Sequence, residues 1–452
     1  MVAMSERLLI RNARLLDPAS GRDERGDLAV VGATIHAVGV VGDFTAERVV
    51  DAAGAVLCPG LVDLQGRLGE PGHEHAGLLE SELAAAVAGG ISSVVCPPDT
   101  DPVLDEPGLV EMLQFRAEGL RLARVLPLGA LTCGLAGVAL TEMAELTEAG
   151  CVGFAQAELP IRDTLVLHRA LQYAATFGFP VWLRPNDAWL GNGVAAKGPL
   201  ATRMGLTGVP VLAETIALLT IFELVRDTGA RVHLCRLSSA AGVELVRRGK
   251  AEGLPISCDV SIHQLHLIDH DIGYFDAAVR LVPPLRQQRD RDAIRAGLAD
   301  GTIDALVSDH TPVDEDAKQL PFAEAEPGAS SFELLLPLAI KWGRAMGLDL
   351  ATSLAAVTSR PAALLLAMRS GAAAAPQGLL PGAPADLCLF TEESSSLDVA
   401  SMASRSRHTP FAGHELPTRV VQTYVRGALA YAAATGASGA RFTPPGSPHV
   451  VS

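Results

Sequence analysis

The chain has 452 residues, of which 49% are hydrophobic and 19% are charged, enough apolar material for one large domain and a smaller one. Its 51 acidic and 36 basic residues give a net charge of −15, and no cluster of Lys and Arg indicates nucleic-acid binding. No uninterrupted apolar run is long enough to cross a membrane and the N-terminus lacks the order of a signal peptide, so we expect a cytoplasmic protein without a membrane partner.

The first sixty residues contain short alternating stretches, "RLLIRNARLLD", "DLAVVGATIHAVG" and "AERVVDAAG". Alternation with a period of two, interrupted by Gly, Asp and Asn, is typical of antiparallel strands. We predict that residues 1–60 form the first part of a small β domain.

From residue 61 onward, eight short apolar runs recur: "LVDLQG", "SSVVCPP", "RVLPLGAL", "CVGFAQ", "PVWLRP", "RVHLCRL", "PISCDVSI" and "IDALVSD". Most precede a stretch with apolar residues at helical spacing, such as "AETIALLTIFELVRDTG", and several of these stretches end in Gly. The pattern predicts an α/β fold, a (β/α)8 barrel of the TIM type over residues 61–365, with its functional site in the loops after the strands.

Short strands return near the end of the chain, in "ADLCLF" and "RVVQTYVRGALAYA". We predict that residues 366–452 complete the small β domain, so that both chain termini contribute to it. The Pro-rich tail, residues 439–452, is a candidate arm that clasps a neighbouring chain.

The seven cysteines include no Cys-x-x-Cys pair, which argues against a structural zinc site. Five of them lie within apolar, strand-like runs, and we interpret them as buried reduced thiols: Cys96, Cys151, Cys235, Cys258 and Cys388.

Many segments, in order along the chain, resemble the dihydroorotases of the amidohydrolase superfamily. They include "CPGLVDLQGRLGEPG", "AVAGGISSVVCPPDTDPV", "LPLGALTCGLAG", "EAGCVGFA", "GARVHLCRLSS", "VPPLRQQRDR" and "GLADGTIDALVSDHTP". The resemblance covers almost the whole chain and implies the barrel fold of that family.

The resemblance also implies where metal ligands would stand, and most of those positions are changed. The family's His-x-His pair falls on Gln65 and Arg67, its aspartate falls within Gln156-Ala157-Glu158, and two further histidines fall on Arg184 and Arg236; only Asp309 is retained. Because a guanidinium has no lone pair to donate, we expect no metal and no other cofactor.

Three positions at which the family contacts substrate are also altered. The resemblance places an Arg of the family at Gly69, an Asn at Asp99 and another Asn at Val282. Loss of metal ligands together with substrate contacts indicates that no catalytic residue remains and that dihydroorotase activity is gone.

Histidines near the predicted barrel mouth offer alternative metal ligands. His73 and His75 could form a relocated site, and the stretch "HQLHLIDHD" supplies His263, His266 and His270. The alternative for each is a role without metal, and for His310 we favour a structural hydrogen bond.

Asp309 has two possible roles, a base in a metal-free reaction or a partner of a cation. We expect at least one of Arg67, Arg184 and Arg236 to pair with an acid such as Asp309, Glu70 or Asp99. We interpret Lys197 and Asp187 as solvated, and residues 315–331, which resemble the family's mobile loop, as a surface loop or an interface.

The resemblance extends to inactive dihydroorotase-like partners of aspartate carbamoyltransferase, and implies a structural or regulatory subunit of that complex in pyrimidine biosynthesis. We therefore expect carbamoyltransferase catalytic chains as partners, in a hetero-oligomer, and self-association. One alternative is an amidohydrolase-like enzyme with a rebuilt or metal-free site that acts on another cyclic amide. Another is a regulator that binds a small pyrimidine in the old pocket.

Overall fold

The computed structural model describes residues 6–368 and 377–433, so the proposed tail arm at 439–452 lies outside the described residues. The N-terminal segment forms five strands: β1 Arg7–Asp17, β2 Arg22–Val31, β3 Thr34–Gly39, β4 Arg48–Asp51 and β5 Val56–Pro59. Strands β1, β2 and β3 are antiparallel neighbours, as the alternating sequence predicts, whereas β4 and β5 run parallel to β1.

Each of the eight predicted apolar runs contains a barrel strand. The barrel strands are β6 Leu61–Asp63, β7 Ile91–Cys96, β8 Arg124–Pro127 continued by β9 Gly129–Ala130, β10 Phe154–Ala155, β11 Val181–Leu183, β14 Val232–Leu234, β15 Ile256–Ser261 and β16 Ala305–Val307. Strands β12 Ala195–Ala196 and β13 Gly208–Val209 form a short parallel pair outside the barrel. All barrel pairings are parallel, and a parallel bridge between Gly66 and His310 joins the first strand to the last. The prediction of a (β/α)8 barrel is confirmed.

Helices follow the strands on the outside of the barrel. They are α1 Leu79–Ala88, α2 Pro107–Leu120, α3 Met143–Glu148, α4 Thr164–Phe177, α5 Pro199–Met204, α6 Leu212–Thr228, α7 Ala240–Ala251, α8 Ile262–His266, α9 Gln288–Ala299, α10 Leu335–Met346, α11 Leu350–Ala355 and α12 Ser359–Met368. Short 3-10 helices lie at Cys133–Leu135, Asp269–Ile272, Ala277–Val279, Asp316–Lys318, Phe332–Leu334 and Val399–Ser401.

The helix limits follow local signals in the sequence. The Asp163 side chain caps α4 by accepting a hydrogen bond from Leu165 N, and α4 stops at Gly178, which has a left-handed φ of 71°. Gly229, with φ 69°, ends α6 in the same way.

The C-terminal segment returns to the N-terminal sheet. It forms β17 Leu387–Thr391, β18 Ser395–Ser396, β19 Glu415–Leu416, β20 Arg419–Val425 and β21 Ala428–Ala432. Strand β17 pairs antiparallel with β5 on one side and with β20 on the other, giving the order β21-β20-β17-β5-β1-β2-β3. Both ends of the chain therefore build one sheet beside the barrel.

One stretch, Leu350–Met368, is long and apolar enough to cross a membrane on length and composition alone. It is divided into α11 and α12 by a turn at residues 356–358. The turn carbonyls of Ala356 and Val357 accept hydrogen bonds from Leu306 N and Val62 N, so this turn is fixed to barrel residues.

The cysteines agree with the sequence interpretation. All seven are free, and the five predicted to be buried lie in the interior, together with Cys58. Cys133 alone of the seven is exposed.

Candidate functional site

The ends of five barrel strands direct charged side chains into one cavity. Arg67 follows β6, Glu158 follows β10, Arg184 follows β11, Arg236 follows β14 and Asp309 follows β16. The cavity has a volume of about 340 Å³ and lies at the carboxyl ends of the strands, where the fold predicts the site.

Glu158 is the centre of this charge network. Its carboxylate accepts hydrogen bonds from Arg67 Nη2 at 3.0 Å, from Arg184 Nη1 at 2.7 Å and from Arg236 Nη2. One carboxylate thus contacts all three arginines that stand at the metal-ligand positions implied by the family resemblance.

Two further acids complete the network. Arg67 donates to Asp99 Oδ2 through Nη2 at 2.7 Å and through Nε at 3.0 Å, and its Nη1 donates to Thr311 Oγ1. Arg236 Nη1 donates to Asp309 Oδ1 at 3.0 Å. The expected pairing of the arginines with Asp99 and Asp309 is therefore confirmed.

Glu70 does not join this network, although the sequence offered it as a partner. Its carboxylate instead contacts Arg116 and accepts a hydrogen bond from Leu79 N at the start of α1. An acid at the first turn of a helix is stabilised there by the unpaired backbone donors, which explains the different location.

Gln156 does not line the cavity, unlike the residues at most of the other metal-ligand positions that the resemblance implies. Its amide donates to Leu135 O at 2.7 Å and accepts from Thr132 Oγ1 at 3.0 Å, so both polar atoms are engaged outside the cavity. Ala157 adopts a left-handed φ of 50°, and the chain then places Glu158 in the cavity. The sequence predicts only the three-residue window 156–158 for this position and does not single out Glu158.

The remaining predicted positions surround the network without contributing charge. Gln65 is 4% exposed and lies at the end of the first strand, outside the cavity lining. Gly69 and Val282 line the cavity, and the Val282 carbonyl accepts a hydrogen bond from Arg236 Nη1 at 3.1 Å.

The charge balance of the network appears in the pKa values of its members. Burial disfavours the ionised Glu158, but the charges of Arg236, Arg184 and Arg67 outweigh burial and hold the pKa of Glu158 below its ordinary value. Burial likewise opposes the charge of Arg67 and of Arg236, but two carboxylates beside each guanidinium raise its pKa.

Arg184 and Asp309 are the less compensated members. Burial lowers the pKa of Arg184, and the charge of Glu158, the acid that Arg184 contacts directly, does not fully offset this effect. Burial raises the pKa of Asp309 to about 6, against the opposing charges of Arg236 and Arg67.

The histidines do not gather into a metal site. The rings of His73 and His75 line the cavity 6.0 Å apart, and within residues 6–368 and 377–433 no three His, Cys, Asp or Glu side chains are grouped to hold a metal. His266 contacts Leu338 O, and His270 contacts Asp269.

Two buried histidines have structural surroundings. His310 Nε2 lies 2.8 Å from Glu82 Oε2, and its Nδ1 accepts a hydrogen bond from Ser331 N at 3.0 Å, in agreement with the structural hydrogen bond expected for it. Burial lowers the pKa of His263 to about 3, so this ring is neutral at physiological pH.

The residues present do not fit the metal ion that the fold family implies. The three arginines repel a divalent cation and donate no lone pairs. The carboxylates of Glu158 and Asp309 are already occupied by guanidinium groups. The positive charges of the site are supplied by the chain itself.

The segment 315–331 is more than the surface loop expected from sequence. Glu326, Pro327 and Gly328 line the cavity, and Gly328 N donates to Arg280 O at 3.1 Å. The buried Lys318 ammonium donates to the carbonyls of Ala277 and Arg280, both at 3.1 Å. The segment is therefore held at the cavity by polar contacts to the carbonyls of Ala277 and Arg280.

Of the two residues interpreted as solvated, Lys197 is exposed but Asp187 is not free. The Asp187 carboxylate accepts hydrogen bonds from Trp189 N and Leu190 N at 3.0 and 2.8 Å. This is the local side-chain to backbone bonding that Asp favours in turns.

A closed parallel barrel with its site at the strand ends, beside a sheet built from both termini, is the architecture of the amidohydrolases. Residues 54–241 match the family model described as dihydro-orotase-like. The chain is 43% identical over 425 residues to a dihydroorotase-like protein of Pseudomonas aeruginosa. The alignment covers 93% of this chain and 99% of the relative. The chain therefore belongs to the dihydroorotase-like family.

Other comparisons agree with this assignment. A dihydroorotase of Syntrophotalea carbinolica is 36% identical over 428 residues, covering 94% of this chain and 99% of the relative. Among solved structures, the L-hydantoinase of Arthrobacter aurescens superposes with a TM-score of 0.82 at 22% identity, covering 94% and 96% of the two chains, which shows the shared fold.

Proposed function

We propose that this chain is a non-catalytic dihydroorotase homologue that serves as a structural or regulatory subunit of an aspartate carbamoyltransferase complex. The observation that carries the proposal is the contact of Glu158 with Arg67, Arg184 and Arg236. Amide hydrolysis in a metal-dependent site needs a cation that activates water and polarises a carbonyl. Here guanidinium groups stand at those positions, and carboxylates neutralise them.

The intact framework supports a binding role for the chain. The barrel is closed, and both termini join one sheet. The alignment with a dihydroorotase-like relative covers 99% of that relative, so the resemblance extends well beyond the site. A folded chain without a working site can still act through its surface, and the proposed partner, aspartate carbamoyltransferase, rests on the expectation drawn from the sequence.

Co-expression tests the partner. The carbamoyltransferase catalytic chain of the same organism is expressed with and without this protein and is separated by size exclusion. We expect a defined mixed oligomer when both are present, and a smaller or less active carbamoyltransferase species alone. An unrelated protein of similar net charge is the control for nonspecific association. Independent migration at micromolar concentration with unchanged activity contradicts the proposal.

A second candidate function rests on the retained cavity. Asp309 accepts one hydrogen bond from Arg236 through Oδ1, lines the cavity and has a pKa raised by burial to about 6, which suits a general base. The chain would then be an amidohydrolase-like enzyme that acts on another cyclic amide without a metal. Turnover of cyclic amides that disappears in Asp309→Asn supports this candidate over the subunit role.

A further inference from the structure

The charged cavity offers hydrogen-bond donors that the chain itself does not use. Arg67 donates through Nε, Nη1 and Nη2, whereas Arg184 donates only through Nη1, to Glu158 Oε2 at 2.7 Å. Within residues 6–368 and 377–433, no atom accepts a hydrogen bond from Arg184 Nε or Nη2. The Arg184 side chain is only 10% exposed and lines the cavity, so an acceptor for these donors comes from a molecule inside that space.

Asp309 has the complementary property, an acceptor without a donor. Arg236 Nη1 donates to Asp309 Oδ1 at 3.0 Å, and in the described part of the chain nothing donates to Oδ2. The Asp309 side chain is 7% exposed and lines the same cavity. A carboxylate oxygen removed from bulk water is stabilised by a hydrogen bond, so this position favours a ligand that carries a donor.

Arg184 and Asp309 are the two ends of one row of ion pairs. Arg184 contacts Glu158, Glu158 contacts Arg236, and Arg236 contacts Asp309. Burial lowers the pKa of Arg184, and the charge of Asp309 is among those that oppose this effect, so the two ends lie within electrostatic reach of each other. The unused donors and the unused acceptor therefore belong to one site.

The cavity has room for a small ligand and an entrance for it. Its volume of about 340 Å³ is at the lower end of the range of roughly 300–1,000 Å³ typical of small-molecule sites. The exposed residues His73, His75 and Glu326 belong to its lining, so the cavity opens to solvent. Leu281 and Pro327 form part of its wall, and such apolar surroundings strengthen the hydrogen bonds made inside.

We propose that this cavity binds a protonated phosphate group, either inorganic phosphate or the end of a small phosphate monoester. The charged oxygens of a phosphate accept hydrogen bonds from Arg184, whose planar guanidinium suits bidentate contact with an oxyanion. The P–O–H group donates to Asp309 Oδ2. Sulfate has no hydrogen at neutral pH and would place a charged oxygen against this carboxylate, where like charges repel. The site therefore selects phosphate over sulfate.

This site differs from the substrate contacts that the family resemblance implies. Those contacts fall on Gly69, Asp99 and Val282, of which the glycine and the valine have no polar side chain and Asp99 pairs with Arg67. Arg184 stands at the end of β11, where the resemblance implies a metal ligand. The cation that holds the phosphate is therefore part of the chain itself.

Isothermal titration calorimetry of the full chain, purified alone, tests the site with inorganic phosphate, glycerol phosphate and sulfate as probes. We expect the wild type to bind phosphate at least tenfold more tightly than sulfate, because only phosphate makes the charge-assisted hydrogen bond to Asp309. Binding of glycerol phosphate as tightly as free phosphate assigns the site to a phosphate monoester. Binding of free phosphate alone assigns it to the inorganic ion.

Three substitutions examine the two ends of the site. Arg184→Gln removes the unused donors and is expected to weaken phosphate binding at least tenfold. Asp309→Asn replaces the acceptor by an amide that also donates, so this variant is expected to bind sulfate nearly as tightly as phosphate. Arg162→Gln is the matched control, since Arg162 is an exposed arginine outside the cavity lining, and it is expected to leave both affinities unchanged. Circular dichroism verifies that each variant folds.

The comparison of phosphate with sulfate on the wild type needs no variant, so it decides the proposal even where a substitution prevents folding. Equal affinities for the two ions overturn the proposal, as does an absence of phosphate binding at millimolar concentration. Phosphate binding that persists in folded Arg184→Gln, or that Arg162→Gln weakens as much, overturns it as well. None of these results involves aspartate carbamoyltransferase, so the subunit role stands or fails separately.

Discussion

Arg236 and Asp309, at the ends of the sixth and eighth barrel strands, form an ion pair with 3.0 Å between Arg236 Nη1 and Asp309 Oδ1. Both residues adopt left-handed backbone angles, φ 56° and 54°, and both are at most 6% exposed. The pair connects two strands that are not neighbours in the barrel. It joins the acid that the family resemblance implies is retained to an arginine at a position where that resemblance implies a histidine.

Metal content gives the most direct test of the site. Protein purified without chelator is expected to contain well under one zinc per chain, because guanidinium groups occupy the ligand positions and cannot donate to a metal. Elemental analysis measures this, and added zinc is expected to leave the melting temperature unchanged. Stoichiometric zinc that survives dialysis contradicts the expectation.

Loss of Glu158 is expected to destabilise the fold. Glu158→Gln removes the charge that three arginines share, and we expect the free energy of unfolding to fall by about 2 kcal/mol. This is less than the roughly 3–5 kcal/mol typical of breaking a fully buried ion pair, because about a third of the Glu158 side chain is exposed. Urea unfolding measures the change.

Glu326→Gln is the control for Glu158→Gln, since Glu326 lines the same cavity but is exposed. A change within about 0.5 kcal/mol is expected for this control. Equal effects of the two substitutions would mean that the charge network adds no stability.

Asp309 makes stability depend on pH. Its pKa is raised to about 6 in the folded chain, above the ordinary value of 3.8, so the folded state binds the proton more tightly than the unfolded state. The resulting stabilisation is complete below about pH 4 and is lost as the pH rises through about 6. Relative to Asp309→Asn, the wild type is therefore expected to lose on the order of 2–3 kcal/mol between these limits, since one pKa unit corresponds to about 1.4 kcal/mol.

Urea unfolding of both proteins at about pH 4.5 and pH 7.5 measures this difference. The comparison with Asp309→Asn cancels the contributions of other titrating groups. A difference that stays constant with pH, or one that grows in favour of the wild type as the pH rises, contradicts the assigned direction of the shift.

Restoring one histidine is not expected to restore chemistry. Arg67→His leaves Arg184 and Arg236 in the cavity and removes the cation that pairs with Asp99. We therefore expect the variant to bind no zinc and to turn over neither dihydroorotate nor carbamoyl aspartate above background. Residues of a catalytic site act as a unit, and one member alone contributes little. Arg67→Lys, which keeps the charge, is the control, and zinc-dependent turnover in Arg67→His alone contradicts the expectation.

Lys318 is expected to hold the loop 315–331 closed. Lys318→Ala removes the two hydrogen bonds by which the ammonium joins this loop to the carbonyls of Ala277 and Arg280, and a net hydrogen bond contributes about 1 kcal/mol. Limited proteolysis and hydrogen exchange are expected to show faster cleavage and exchange in this loop. Lys197→Ala, at an exposed lysine, is the control, and an unchanged loop in Lys318→Ala contradicts the assignment.

The barrel was predictable because its strands are buried on both faces and read as short apolar runs. Each of the eight runs contains a strand, and the arginines at strand ends are positioned as the sequence indicates. The position of Glu158 was not predictable, since it depends on the left-handed turn at Ala157 rather than on residue type. Lys318 was missed for a related reason, because a lysine in a polar loop is normally solvated.

The exposed side of helix α6 was also not predictable from the sequence. Its residues are apolar on nearly every side of the first three turns, which is the pattern of a helix buried all round. Only the packing of the neighbouring loops decides that Leu212, Ile216 and Leu219 stay outside.

The sharing of Glu158 among three arginines has an evolutionary consequence. Changing any one arginine to histidine leaves the carboxylates with less compensating charge and leaves the other two guanidinium groups in place. The effect of each substitution thus depends on the residues at the other positions. Conversion of this cavity to a metal-binding site would therefore require several changes at once, with less stable intermediates between them.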